Sequence, residues 1–194
     1  MNVVIIKYNA GNIQSVDFAL RRLGVKAAIT DNHTAIRNAG KVIFPGVGEA
    51  STTMAYLQQK GLDKLIKSLC QPVLGICLGM QLMAEKSEEG NTDTLGIIPA
   101  TVQKFSPKNN IKIPHMGWNR VFGENHPLFN VLHNEFLYFV HSYFVPQNDF
   151  TTLATNYGEM FTAAMQYENF YGVQFHPEKS GTAGAKFLNQ FLKL

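Results

Sequence analysis

At 194 residues, with 45% hydrophobic side chains and a net charge of +3, the chain has the size and balance of one soluble globular domain, large enough to bury a core without metal or disulfide. Acids and bases are mixed along it, so it lacks the clustered Lys and Arg of a nucleic-acid binder, and no run approaches the roughly 20 apolar residues of a membrane helix. Cys70 and Cys77 have neither disulfide nor metal-type spacing, and Met1-Asn2-Val3-Val4 offers no charged leader, so a reducing, cytoplasmic location is expected.

Val3 to Ile6 reads as a strand buried on both faces. Ile13, Val16, Leu20 and Leu23 then recur at helical spacing, and Gly24 closes that helix. Val25 to Ile29 and Lys41 to Phe44 are further strands, Met54 to Leu69 is a helix broken near Gly61, and Pro72 introduces the strand Val73 to Ile76. Such alternation predicts βαβ units and a parallel sheet. The later runs Thr101–Phe105, Phe136–Phe144, Thr151–Thr155, Phe161–Gln166 and Tyr171–Phe175 are aromatic or β-branched, predicting added strands, several of them antiparallel. A final helix is expected over Ala185–Leu194. With no repeat or linker, residues 1–194 read as one α/β domain.

Three strand ends carry chemistry. In Gly75-Ile76-Cys77-Leu78-Gly79-Met80-Gln81 a cysteine ends an apolar strand, flanked by glycines at minus two and plus two, with a helical pattern through Glu85 behind it. That is nucleophile-elbow spacing, and a helix start favours the thiolate. Cys70 lacks this context and is expected to be merely buried. A thiol needs a base and a group to orient it. His176 and Glu178, in Gly172-Val173-Gln174-Phe175-His176-Pro177-Glu178, project to one side of an extended segment and supply both. Phe44-Pro45-Gly46-Val47-Gly48-Glu49 is a Gly-rich turn that can aim backbone N–H groups at an oxyanion. In a parallel sheet such loops gather at the carboxyl ends of strands.

Together these three motifs, in this order and spanning nearly the whole chain, resemble the class I (triad) glutamine amidotransferases. Within that family the resemblance is to the glutaminase subunits of imidazole glycerol phosphate synthases, through Asn9-Ala10-Gly11-Asn12-Ile13-Gln14-Ser15-Val16, Pro114-His115-Met116-Gly117-Trp118-Asn119, Val140-His141-Ser142-Tyr143, and Met80. Lys7 and Asn9 depart from the acidic residue and glycine that many members carry there, which bears on a partner-facing loop. The resemblance implies that Cys77 attacks the glutamine side-chain amide, His176 shuttles the proton and Glu178 orients His176. It implies an oxyanion hole from Leu78 and an amide of Val47 or Gly48. Gly46, Gln81, Ser142 and Tyr143 would bind glutamine, and Trp118, Tyr138 and Lys179 would face a (β/α)8-barrel cyclase in a heterodimer. That partner uses the ammonia to make imidazole glycerol phosphate and aminoimidazole carboxamide ribonucleotide. No metal or organic cofactor is implied.

His33, His126 and His133 lie in polar stretches and are expected to be solvated, whereas His115 and His141 read as structural or interface residues. Trp118 falls in a loop-like, glycine-containing stretch. Competing readings are the glutaminase partner of anthranilate or aminodeoxychorismate synthase, where Met80 is usually histidine, an inactive amidotransferase-like binding subunit, and a thiol-dependent esterase or peptidase.

Overall fold

The computed structural model describes residues 2–8, 12–107, 111–123 and 126–194. Strands β1 (Val3–Ile6), β2 (Ala28–Thr30), β3 (Lys41–Phe44) and β4 (Val73–Ile76) alternate with helices α1 (Ile13–Arg22), α2 (His33–Arg37), α3 (Ala50–Gln59) and α4 (Leu62–Lys67). The short helix α5 (Leu78–Gln81) follows β4 after one residue, before β5 (Lys86–Ser87), β6 (Thr92–Asp93) and β7 (Thr101–Lys104). Then come β8 (His115–Arg120), β9 (Phe136–His141), β10 (Tyr143–Phe144), β11 (Thr151–Asn156), β12 (Met160–Tyr167), β13 (Phe170–Val173) and α6 (Gly181–Lys193).

Seven strands form the main sheet in the order β11-β12-β13-β4-β3-β1-β2. β4 lies between β3 and β13 and is parallel to both, β1 is parallel to β2 and β3, and β11 and β12 add antiparallel pairs. The carboxyl ends of β3, β4 and β13 are therefore neighbours, which brings the three motif loops to one rim. β1 shows why the strands read as unbroken apolar runs. Val3 and Ile5 pack with α1 and α6 on one face, whereas Val4 and Ile6 pack with α3 and α4 on the other. Both faces are covered, so no alternation survives in the sequence. β10, β7, β5 and β6 make a small second sheet, and β8 with β9 a two-stranded antiparallel ribbon.

Several boundaries differ from the sequence-based expectation. β2 begins at Ala28, not Val25, because Val25 N–H is held by the Leu20 carbonyl as α1 ends. The expected strand Phe136–Phe144 is two strands separated at Ser142, whose carbonyl turns to accept the Phe105 N–H. The last helix starts four residues earlier than expected, at Gly181. Trp118 lies in strand β8 rather than a loop; its stretch alternates buried and exposed residues, but Gly117 and polar neighbours conceal that period. Asn9, Ala10 and Gly11 of the family motif, with the Asn9 departure, lie outside the described residues.

Candidate active site

Cys77 turns the chain from β4 into α5 with φ 53° and ψ −111°, a backbone conformation that an L residue adopts only under constraint. The flanking glycines make this turn possible. A Cβ at Gly79 would lie 1.9 Å from the Phe44 carbonyl oxygen, and one at Gly75 would lie 2.8 Å from backbone of Gly79 and Met80. The helix expected to run through Glu85 stops at Gln81. The carbonyls of Leu82, Met83 and Ala84 instead accept N–H groups from residues 95–98, which removes the acceptors a longer helix needs.

His176 Nδ1 and Glu178 Oε1 are 2.8 Å apart, with both side chains fully buried. Strand alternation is not what joins them. β13 ends at Val173, and Pro177–Lys179 winds into a 3-10 turn that carries the carboxylate back beneath the ring. Asn12, at the start of α1, donates its amide to the same Glu178 oxygen and lies 3.4 Å from His176 Nδ1. Burial pulls the imidazole down, but Cys77 and Glu178, through hydrogen bonding and charge, outweigh it, and the ring is pushed up to about 10. Among the described residues His176 Nε2 nevertheless meets no hydrogen-bond partner of acceptable geometry. Cys77 is near enough to act on the ring but is not aligned with it, as is common before substrate binds.

The turn after β3 closes the site from the other side. Gly46 packs so tightly that a Cβ would meet Gly79 N at 2.5 Å and Leu78 Cβ at 2.7 Å. The Tyr8 hydroxyl donates to the Pro45 carbonyl behind this turn. Leu78 N–H, an expected oxyanion donor, instead points at the Gly46 carbonyl at 3.3 Å. Gly48 has φ 139°, a conformation that favours glycine.

A cavity of about 330 Å³ opens onto Cys77, bordered by Val47, Gly48, Leu78, Gln81, Ser142 and Tyr143. Of the residues expected to bind substrate, only Gly46 is not part of this wall; it sits behind Leu78. Gln81 Nε2 donates to the Tyr143 carbonyl at 2.7 Å and to Gln174 Oε1 at 2.9 Å. Glu89 also lines the cavity, a residue that sequence reasoning missed. It lies in a short, polar, glycine-containing stretch with no periodicity, and only the fold brings it opposite Cys77. Burial raises its carboxyl, against the Ala50 N–H that it accepts at 2.8 Å.

Trp118, Tyr138 and Lys179 do meet. The Trp118 and Tyr138 rings are 6.0 Å apart, and Lys179 Nζ lies 5.8 Å from the Tyr138 ring centre. Trp118 is 55% and Met116 62% exposed, on the outer face of the β8–β9 ribbon. The inner face carries His115 and His141, both buried, with Nδ1 of the first 3.0 Å from Nε2 of the second. Burial lowers His115 to about 4 and His141 to about 3, so both rings are neutral at neutral pH. His33 and His133 are exposed as expected, but His126 is half-buried, bonded to Gln166 and packed on Phe129. Cys70, expected to be buried, is exposed, because α4 ends at Lys67 and leaves it in the connection to β4. Among the described residues no group of His, Cys, Asp or Glu could hold a metal ion, and no helix is long and apolar enough to cross a membrane.

Residues 4–194 match the family model described as "Glutamine amidotransferase class-I". The imidazole glycerol phosphate synthase subunit HisH of Bacteroides fragilis is 56% identical over the full length of both chains. The subunit of the same name from Pasteurella multocida is 49% identical over 99% of this chain and 98% of its own. Among solved structures, one titled as a glutamine amidotransferase superposes with a TM-score of 0.76 at 19% identity, covering 99% of this chain and 98% of its own. PurLQS from Thermotoga maritima superposes with a TM-score of 0.70 at 16% identity, covering 99% and 97%. At those identities the structures speak for the fold alone.

Proposed function

The chain belongs to the class-I glutamine amidotransferase family, and we propose that it is the glutaminase subunit of an imidazole glycerol phosphate synthase, which hydrolyses glutamine and passes the ammonia to a barrel cyclase. The observation that carries this reading is the convergence of a thiol on a strained elbow, a buried His–Glu pair and a cavity large enough to admit glutamine on one rim. The full-length likeness to HisH subunits supplies the pathway. We read residues 1–194 as one such domain.

In this reading Cys77 adds as a thiolate to the side-chain amide carbon of glutamine. His176 already holds a proton at neutral pH, so it donates to the departing nitrogen. The C–N bond breaks, ammonia leaves, and a γ-glutamyl thioester remains on Cys77. The ring, now neutral, takes a proton from water as that water adds to the thioester; the C–S bond breaks and glutamate leaves. Glu178 holds the His176 ring in both its charged and its neutral form, with Asn12 fixing the carboxylate. Gln81 Oε1, the end of the amide not used in the bonds to Tyr143 and Gln174, and the Glu89 carboxylate suit the substrate's α-ammonium group.

The resting geometry supports a subunit that works slowly by itself. With the Gly46 carbonyl facing Leu78 N–H, one donor is occupied and the oxyanion site is obstructed. Turning the Gly46–Val47 peptide would withdraw that oxygen and present the Val47 N–H. A lost oxyanion donor costs about 10²–10³ in turnover, and a partner selects the other state only through contacts that differ between the two. The exposed apolar face of Met116, Trp118 and Tyr138, with Lys179 beside it, is the surface that suits the partner. The test is glutamate release by the purified chain, alone and with the cyclase and its nucleotide. Slow turnover alone and stimulation by orders of magnitude in the complex are expected. Stimulation by a chorismate-using synthase instead would reverse the assignment.

A further inference from the structure

Gln174 is wholly buried beside the nucleophile, two residues before His176, and its amide nitrogen lies 3.6 Å from the Cys77 sulfur. Which end of a buried amide faces a neighbour is set by its other hydrogen bonds, and here they can be followed outward without ambiguity. Asn119 accepts the Arg120 N–H at its oxygen and donates its nitrogen to the Asn156 carbonyl at 2.8 Å, so its orientation is fixed by backbone. The same nitrogen lies 3.4 Å from His115 Nε2, which must therefore accept. His115 then carries its proton on Nδ1 and donates to His141 Nε2 at 3.0 Å. His141 in turn carries its proton on Nδ1 and donates at 2.7 Å to the Tyr143 carbonyl, which can only accept.

The Tyr143 carbonyl also receives Gln81 Nε2 at 2.7 Å. Gln81 cannot reverse its amide without setting oxygen against oxygen, so its second N–H goes to Gln174 Oε1 at 2.9 Å. That leaves Gln174 one orientation, nitrogen towards the sulfur. His115 is clamped by Tyr157 and Phe139, whose rings stack on it at 4.0 and 5.0 Å, which keeps the far end of the chain in place.

We propose that Gln174 is a further catalytic residue, whose amide donates to the Cys77 sulfur and stabilises the thiolate, and that His115 and His141 are positioning residues that hold in place the Tyr143 carbonyl on which this orientation depends. A directed N–H beside the sulfur favours the charged nucleophile and the thiolate leaving group of the second step alike. The other groups that face Cys77 are the Val140 carbonyl, to which the thiol donates at 3.8 Å, His176 and Tyr8, and none of them is a link in this chain of bonds.

The inference rests on Cys77 as nucleophile but not on glutamine, and the experiment separates the two. In a Cys70→Ser background, the alkylation rate of Cys77 by iodoacetamide is measured at pH 7 for the wild-type chain, Gln174→Leu, Gln174→Glu, His141→Leu and His141→Asn. Hydrogen bonds to charged groups are worth about 1.5–3 kcal/mol, or roughly tenfold to a hundredfold. Both Gln174 variants should slow alkylation by about tenfold or more and lower kcat of the cyclase complex with little change in KM. Gln174→Glu keeps the acceptor for Gln81, so it tests the donor even if the leucine variant folds poorly. His141→Leu should slow alkylation by a smaller factor, and His141→Asn, which retains a donor where Nδ1 stood, should recover it. Alkylation unchanged in Gln174→Glu overturns the proposal. A wild-type complex without glutaminase activity, but with these alkylation differences intact, overturns the glutamine reading alone.

Discussion

Substituting Gly79 by alanine tests whether the elbow depends on backbone touching backbone. The added Cβ would lie 1.9 Å from the Phe44 carbonyl oxygen and 3.0 Å from its carbon. Contacts below 3.0 Å are essentially never found, so β3 and α5 must separate by about 1.1 Å, with no flexible side chain to yield instead. Overpacking of this kind costs about 1–3 kcal/mol and sometimes more. Gly24→Ala is the control. It sits at φ +79° with nothing within 4 Å, so it costs only the left-handed penalty of about 1–2 kcal/mol. Urea unfolding should place Gly79→Ala below Gly24→Ala. The separation also moves Leu78 away from the Gly46–Gly48 turn. A misplacement of about 1 Å near the chemistry can cost about 10²-fold, so stimulated glutaminase activity should fall by about that factor. If Gly79→Ala unfolds like Gly24→Ala and keeps activity within about threefold of wild type, the close approach is not what the glycine provides.

Cys77→Ala should abolish glutamate release while the complex still makes product from ammonium salt, and a glutamine-analogue alkylator should label Cys77 and spare the exposed Cys70; retention of a few per cent of activity would refute the mechanism. His176→Asn should remove nearly all activity, by about 10²–10⁴-fold, and Glu178→Gln less, because the carboxylate orients and does not transfer; His176→Asn turning over at the wild-type rate would require another base. Trp118→Ala should weaken complex formation, measured by titration calorimetry, and leave Cys77 alkylation in the free subunit unchanged. Stability should fall as pH drops below about 6.5, because the unfolded chain takes up protons that burial denies to His115 and His141, held at about 4 and about 3. Between pH 6.5 and 5 each ring accounts for about 1.5 kcal/mol; urea midpoints unchanged over that range would contradict their burial as neutral rings.

The motif loops and the four strands that lead the parallel sheet were legible because each rests on a local rule. β3 and β4 are apolar runs bounded by Gly and Pro, and glycines two before and two after a strand-end cysteine have one steric explanation. What escaped was set at long range. β8 looks like a loop because its inward residues are Gly117 and two polar groups, His115 and Asn119, satisfied by partners some 25 to 40 positions away. Glu89 has no local signal, and Gln174 reads as one more residue of a strand end until the fold sets Gln81 against it. The His176–Glu178 pairing was expected for a reason the structure replaces: an extended segment would align the two, but Pro177 starts a turn, and the turn makes the contact.

The two parts that are not in catalytic arrangement hang from different elements, which limits how a partner can act. His176 N–H is bonded to the Tyr138 carbonyl at 2.9 Å, and the Ser180 hydroxyl ties that loop to Tyr138 N–H and to the His176 carbonyl. Tyr138 stands on the outer face of the ribbon beside Trp118. A protein docked there would bear on the His176 loop through the Tyr138 main chain, whose carbonyl accepts the His176 N–H and whose N–H donates to the Ser180 hydroxyl. The Pro45–Gly48 turn is held elsewhere, by the Tyr8 hydroxyl at the end of β1 and by Leu78 and Gly79 of α5. Pressure on β9 can therefore bring His176 Nε2 towards the sulfur without moving the Gly46 carbonyl off Leu78. Freeing the oxyanion donor would then call for a second contact, near the end of β1, where the Tyr8 hydroxyl holds the Pro45 carbonyl. Activation through both contacts would be lost in two stages. Trp118→Ala should impair the His176 arm, whereas a substitution at Lys7, on the β1 side, should lower stimulation while leaving binding on the ribbon face intact.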